Sequence, residues 1–94
     1  MLMRPNITET IPMNYRRFIF EKMLRHGYVG GKHTHEDNIP KGAPPTEYKA
    51  IRKEIKQLIK EGYIIVHPKP DGRHLSLNPR RIKDIEKYLE EKLE

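Results

Sequence analysis

Basic side chains recur at helical spacing between residues 46 and 61 of this chain. Five cations lie opposite the apolar side chains of the same segment: Lys49, Arg52, Lys53, Lys56 and Lys60. Lysines at this spacing can neutralise phosphates, and an arginine such as Arg52 can make bidentate contact with a base edge. The pattern favours an anionic partner, and an ordinary solvated helix face is the alternative.

Two histidines and two acids lie together just upstream of this segment. His33 and His35 are two residues apart and are followed by Glu36 and Asp37, and His26 could complete a set of metal ligands. The stretch from Thr34 to Asp37 also has the layout of a capping box at a helix start, with Asp replacing the usual Glu. The sequence contains no second cluster with metal-ligand spacing. We therefore predict no metal ion and no other cofactor.

The residue patterns of common enzyme sites are missing from the sequence. Residues 30–34 read Gly-Gly-Lys-His-Thr, but they lack the upstream glycine and the preceding buried strand of a phosphate-binding loop. Ser76 is the only serine and lies within a predicted strand, and the lack of cysteine excludes a thiol nucleophile. No pair of carboxylates falls on an apolar surface, where one pKa could be raised. We predict that the chain is not an enzyme.

Charge is distributed unevenly along a chain that has the size of one domain. The 94 residues are 35% apolar and 34% charged, and the formal net charge is +6. Three lysines against five acids give residues 82–94 a net charge of −2, which leaves +8 on residues 1–81. A basic body with an acidic end predicts a polyanion such as nucleic acid as partner. The alternative is the Lys- and Glu-rich surface of a heat-adapted protein, which the single glutamine and the many isoleucines would fit.

Features of membrane and secreted proteins are missing as well. No apolar run approaches the ~20 residues that cross a bilayer. Residues 1–5 do not have the charged and then apolar pattern of a signal peptide. The absence of cysteine excludes a disulfide scaffold and fits a reducing compartment. We expect a cytoplasmic protein without a membrane partner.

Capping residues and periodicity divide the chain into a series of elements. Asn14 and Gly27 bound a predicted helix over 15–26, a loop or short strand follows at 28–31, and Pro40 ends a short helix over 35–39. After the rigid turn 41–45, Thr46 is the predicted N-cap of helix 46–61, which Gly62 ends. The remaining predicted elements are an N-terminal arm over 1–13, a β-hairpin with strands 63–67 and 73–77 around the turn 69–72, and a helix over 79–93.

Apolar side chains at matching positions predict the core. In the arm, Ile7 and Ile11 could cover it, and in the hairpin Leu75 and Leu77 alternate with polar residues. The predicted core faces of the two later helices are Tyr48, Ile51, Ile55, Leu58 and Ile59, and Ile82, Ile85, Leu89 and Leu93. The cations of the first helix are predicted on its solvent side: Arg16, Arg17, Lys22 and Arg25.

This order of elements resembles the winged helix-turn-helix family over about residues 14–81. The resemblance is carried by the short helix, turn and longer helix at 35–61, by the junction from Leu58 to Ile64, and by the hairpin with its Gly72-Arg73 pair. The chain also resembles small archaeal winged-helix proteins. The resemblance implies an α+β fold, in which a small helical bundle carries a two-stranded hairpin wing and an added C-terminal helix. Residues 14–78 would form this domain, and residues 79–94 would pack on it or form a homodimer.

The resemblance also implies how such a protein would act. Helix 46–61 would enter the major groove of duplex DNA, and the wing at 67–74 would contact the backbone beside it. The implied contact residues are Lys41, Thr46, Lys49, Arg52, Lys53, Lys56, Lys69 and Arg73. The leading expectation is a transcription regulator that binds double-stranded DNA. The alternatives are a ribosome-associated RNA-binding protein and a protein–protein adaptor.

Overall fold

The computed structural model describes residues 13–91. Within them the chain forms an α+β fold with three α-helices and one three-stranded antiparallel sheet. The helices are α1 (Tyr15–His26), α2 (Tyr48–Lys60) and α3 (Ile82–Glu91), and the strands are β1 (Thr34–His35), β2 (Ile64–Lys69) and β3 (Gly72–Leu77). Short 3-10 helices at Glu36–Asn38, Pro45–Glu47 and Pro79–Arg81 precede or join these elements.

The bounds predicted for the first helix are confirmed, and local capping explains them. The side chain of Asn14 accepts a hydrogen bond of 3.0 Å from the backbone N–H of Arg17, which satisfies a free donor of the first turn. At the other end Gly27 takes a left-handed conformation with φ of 72°, and its N–H donates to the carbonyl of Leu24. Both signals lie within a few residues of the helix, so the sequence alone reveals them.

The predicted start of the helix over 46–61 is wrong by two residues. Pro44 and Pro45 lead into the 3-10 helix Pro45–Glu47, and α2 begins only at Tyr48. Thr46 lies inside that 3-10 helix, so the prediction that it is the N-cap is also wrong. The α-helix ends at Lys60, one residue before the predicted end, because Gly62 takes a left-handed conformation with φ of 86° and its N–H donates to the carbonyl of Ile59.

The sheet contains a strand that the sequence did not predict. Thr34 and His35 form β1, which pairs with β3, so that β3 is central in the order β1-β3-β2. Only a 3-10 helix, Glu36–Asn38, follows it where a short helix over 35–39 was expected. The predicted capping box is wrong, because His35 caps this turn while the Thr34 hydroxyl accepts a hydrogen bond from Asn38.

The predicted β-hairpin is confirmed, and its strands run further towards the turn than expected. Lys69 pairs with Gly72, which leaves a two-residue turn at Pro70 and Asp71. Leu75 and Leu77 are fully buried on the side of β3 that faces the core, as their alternation predicts. The loop after α1 joins the sheet through a single parallel bridge from Val29 to Leu77.

The core fills the space between α1, α2, α3 and the inner side of the sheet. Its fully buried side chains are Ile19, Phe20, Met23, Ile39, Ile51, Leu58, Leu75, Leu77 and Ile85. Tyr63 and Tyr88 meet the ring of Phe20 edge-on, with centroids 5.4 and 5.7 Å away. Apolar burial of this kind is the main source of stability in a small domain.

The last helix packs on this core through one buried residue and three half-buried ones, one of which is Tyr88. Asn78 caps the 3-10 helix that leads into α3, Ile85 is buried, and Ile82 and Leu89 are half-buried. The expectations for Ile7, Ile11 and Leu93 lie outside the described residues. Homodimerisation through this helix stays a prediction. In residues 13–91 no helix combines the length and apolar character needed to cross a membrane.

Replacing Gly72 with alanine should destabilise the hairpin. Gly72 has φ of 128°, and a Cβ built there would lie 2.6 Å from Nε2 of His35. The strained backbone and the clash should lower the free energy of unfolding by about 1–3 kcal/mol, measured by urea denaturation. Gly31→Ala is the matched control, since a Cβ there has no neighbour within 4 Å, and it should stay within about 0.5 kcal/mol of wild type. Equal effects of the two substitutions would contradict this account.

Candidate nucleic-acid interface

The exposed side of α2 presents most of the predicted contact residues as one surface. Its burial pattern places the apolar stripe inwards, so the opposite side faces solvent. Five of the eight predicted residues line a single open depression there: Thr46, Lys49, Arg52, Lys53 and Lys56. We refer to these five residues as the basic helix surface.

A second hollow connects this surface to the hairpin. It has a volume of about 220 Å³ and is lined by Glu36, Arg52, Ile55, Lys56 and Arg73. Arg73 therefore lies beside α2 although it comes from β3. Arg52 and Lys56 line both hollows, so the basic helix surface and Arg73 are continuous.

Lys69 and Lys41 are exposed but lie apart from this surface. Lys69 shares the side of the hairpin that carries His67, because the two are separated by one residue in β2. Neither Lys69 nor Lys41 lines either hollow. The two predicted contact residues of the wing therefore lie on opposite sides of the hairpin. Arg73 faces α2, and Lys69 lies on the outer side. The period-two alternation of the strands could have indicated this from the sequence.

Carboxylates of the 3-10 helix Glu36–Asn38 form ion pairs with Arg52 of the basic helix surface and with the neighbouring Arg73. Arg73 donates to one oxygen of Glu36 through Nε at 3.1 Å and through a terminal nitrogen at 2.8 Å. Arg52 lies 3.7 Å from a carboxylate oxygen of Asp37, and its guanidinium lies 5.8 Å from the ring centroid of Tyr48. Within the described residues, Lys49, Lys53 and Lys56 have no salt bridge. Sequence reasoning missed these acids as partners because the pairs are formed across different elements.

The prediction that the cations of α1 lie on its solvent side is wrong for Arg16, Arg17 and Lys22. Arg17 pairs with Glu21 and donates to the carbonyl of Leu89 at the C-terminal helix. Lys22 donates to the backbone carbonyls of Asn38 and Lys41, and so ties α1 to the turn before α2. Burial, followed by repulsion from nearby cations, lowers the pKa of Lys22. Arg25 alone of the four is exposed as expected.

Arg16 clamps α1 against α2. Its Nε lies 2.7 Å from a carboxylate oxygen of Glu54, and its terminal nitrogens reach Glu61 at 2.9 and 3.1 Å. The hydrogen bonds to Glu61 raise the pKa of Arg16, and they hold the pKa of Glu61 below its usual value. Glu47 is likewise turned to α1, where it accepts a hydrogen bond of 2.6 Å from Tyr15. Acids of the α2 segment therefore face α1 while its lysines face solvent.

The described residues form no metal centre beside this surface. In the part of the chain from residue 13 to 91, no three His, Asp or Glu side chains are arranged to hold an ion. The predicted pair His33 and His35 does not join His26, which stacks on Tyr28 at the end of α1.

Comparison with known proteins gives no relative for this chain. No protein-family model matches it, and no curated protein or solved structure matches it either.

The clamp between Arg16 and Glu61 should be measurable as a coupling energy in a double-mutant cycle. We expect Arg16→Gln and Glu61→Gln to couple by about 0.5–1 kcal/mol at pH 7, in urea denaturation. Because the pKa of Glu61 is lowered in the folded state, its contribution is fully present above about pH 4.5 and is lost as the pH falls further. The coupling should therefore shrink towards pH 3. Arg25→Gln is the control and should show no coupling to Glu61→Gln, and an equal coupling there would contradict the clamp.

Proposed function

We propose that this chain is a winged helix-turn-helix protein that binds nucleic acid, with duplex DNA as its preferred partner. The fold proposal is supported by the order of elements, in which a helix, a short strand and a 3-10 turn precede α2, the hairpin and a final helix. The position of Arg73 beside α2 supports a hairpin that acts together with the helix. The function is inferred from the side chains of the basic helix surface, since one fold serves many functions.

The observation that carries the proposal is the separation of charge around α2. Lys49, Lys53 and Lys56 point to solvent without carboxylate partners in the described part of the chain, whereas Glu54 is engaged by α1. An α-helix with its side chains is about 10–12 Å wide, and the major groove of B-form DNA is about 12 Å wide. A helix whose exposed side is basic therefore has the width and the charge to fit between two phosphate backbones.

The surface residues then divide into roles by their chemistry. Lysines act as point charges and would neutralise phosphates, while the planar guanidinium of Arg52 can pair with a guanine edge. Thr46 and Lys49 lie at the N-terminal end of the helix, which is the end that meets base edges in this mode of docking. Binding of this kind suits a regulator of transcription, in which the wing and Lys41 contact the flanking backbone.

A fluorescence anisotropy titration tests the proposal directly. The full chain is titrated with labelled duplex DNA, hairpin RNA and single-stranded DNA at 50 and 200 mM salt. About four or five phosphate contacts should weaken duplex binding by roughly two to three orders of magnitude between these concentrations. Tighter binding to hairpin RNA would select the RNA-binding alternative, and no binding at 50 mM salt would favour an adaptor of other proteins.

Charge reversal on α2 should abolish binding. We expect Lys53→Glu with Lys56→Glu to weaken the affinity for duplex DNA by at least about a hundredfold at 50 mM salt, because phosphate contacts dominate such affinities. The matched control is Lys83→Glu with Lys87→Glu, which makes the same charge change on two exposed lysines of α3. If both pairs weaken binding equally, net charge rather than the basic helix surface is responsible.

Removing the charge of Glu36 should have the opposite effect. Glu36→Gln releases Arg73 from its carboxylate partner, so a phosphate no longer competes with that ion pair. Exposed ion pairs are worth up to about 1 kcal/mol, which corresponds to a two- to fivefold gain in affinity. The control Glu86→Gln removes one exposed acid from α3 and should change affinity less. Unchanged affinity for Glu36→Gln would place Arg73 outside the interface.

A further inference from the structure

Four of the five histidines converge on the outer side of the sheet. His35 of β1 and His67 of β2 are both register partners of His74 in β3, so one histidine from each strand lies in a single row. His33 comes from the loop before β1 and covers this row. Its ring stacks on His67 with centroids 4.7 Å apart and meets His74 edge-on at 4.9 Å. We call these four residues the histidine cluster.

Hydrogen bonds fix the tautomers of two rings in the cluster. The Ser76 hydroxyl donates to the carbonyl of Gly30, so it must accept the hydrogen bond of 2.9 Å from Nε2–H of His67. Nδ1 of His35 accepts from the backbone N–H of Asp37, and its Nε2–H then donates to the carbonyl of Asp71 at 2.9 Å. Both rings carry their proton on Nε2 when neutral.

The hydrogen bond between His33 and His74 limits how many protons these two rings can hold. Nδ1 of His33 lies 3.0 Å from Nδ1 of His74, and Nε2 of His74 lies 3.1 Å from a carboxylate oxygen of Asp71. A hydrogen bond between two Nδ1 atoms needs one proton, and with protons on both atoms two donors would oppose each other. Two doubly protonated rings cannot keep this bond, so the intact pair holds at most one positive charge.

The surroundings of the pair further disfavour a second charge. Desolvation by burial, followed by the charges of Lys69, His67 and His74, lowers the pKa of His33, while Asp71 acts in the opposite direction. The titratable and charged groups that face the pair are His35 from β1, His67 and Lys69 from β2, and Asp71 from the hairpin turn, with Asp37 3.7 Å from His35 Nδ1.

We propose that the His33–His74 pair is a proton-operated latch that joins the loop before β1 to the hairpin. At neutral pH one shared proton holds the loop against β3. On acidification a second proton breaks the Nδ1–Nδ1 bond and releases the hairpin from the loop. The proposal concerns the mobility of the hairpin and does not depend on nucleic-acid binding.

The latch makes stability depend on pH in a stated direction. The unfolded chain can protonate both rings, whereas the latched fold accepts one proton fewer. The contribution of the latch to the free energy of unfolding is therefore fully present above about pH 6.5, and it is lost as the pH falls. One withheld proton increases the unfolding equilibrium constant by at most about tenfold per pH unit in this range.

Histidine NMR spectra of the full chain test the latch without any substitution. With EDTA present at pH 7.5, long-range nitrogen–proton spectra should show the Nε2–H tautomer for His35 and His67. On acidification His33 and His74 should report two separate protonation steps of one pair, and the second should coincide with loss of amide protection in β3. Independent single-step titration of the two rings would overturn the proposal.

Urea denaturation of three proteins at pH 7.5 and 5.5 provides the second test. His33→Asn keeps a similar size but cannot titrate, and His26→Asn is the matched control outside the cluster. Wild type and His26→Asn should lose stability on acidification. Per pH unit, their unfolding equilibrium constants should rise by up to about tenfold more than the constant of His33→Asn. Because each protein is compared with itself at two pH values, a general destabilisation by the substitution cancels. The same pH dependence in all three proteins would overturn the latch.

Discussion

The basic helix surface depends on one constraint, which is the orientation of α2: one side of the helix must face the core, one must face α1, and the remaining side faces solvent. Burial of Ile51, Ile55 and Leu58 fixes which side of the helix faces inwards. The clamp from Arg16 to Glu54 and Glu61 then holds the acidic edge of the helix against α1. The lysines remain on the solvent side, since the core and α1 take up the other directions. A surface that looks like a matter of composition is thus a consequence of packing.

The 3-10 helix Glu36–Asn38 sets how much of that positive charge is available. Its acids contact Arg73 and Arg52, both of which are about half exposed. Exposed pairs are screened by salt and contribute little to stability, so a phosphate can replace a carboxylate at small cost. If the proposed binding holds, these acids would lower the affinity without blocking the surface, and the lysines that have no salt bridge within the described residues would make the first contacts with a polyanion.

Local signals explain what the sequence predicted, and long-range contacts explain what it missed. Asn14 and Gly27 act within their own turns, so the bounds of α1 were predictable. The two residues of β1 become a strand only because β3 is beside them, and no local pattern indicates this. Five of the eight predicted contact residues lie together because α2 carries four of them and the 3-10 helix that leads into α2 carries Thr46. Lys69 was misplaced because the sequence was interpreted as a loop tip, without the alternation of its strand.

The hairpin links the two unusual features of the molecule through the geometry of a strand. Arg73 and His74 are adjacent in β3, so their side chains point to opposite sides, one to α2 and one to the histidine cluster. Their separation depends on register, because a slip of one residue exchanges the two sides of a strand. Gly72 protects this register, since its φ of 128° and its close approach to the His35 ring suit only a residue without Cβ. The turn that looks like a flexible tip is therefore the part of the hairpin that decides which side carries Arg73 and which side carries the histidine cluster.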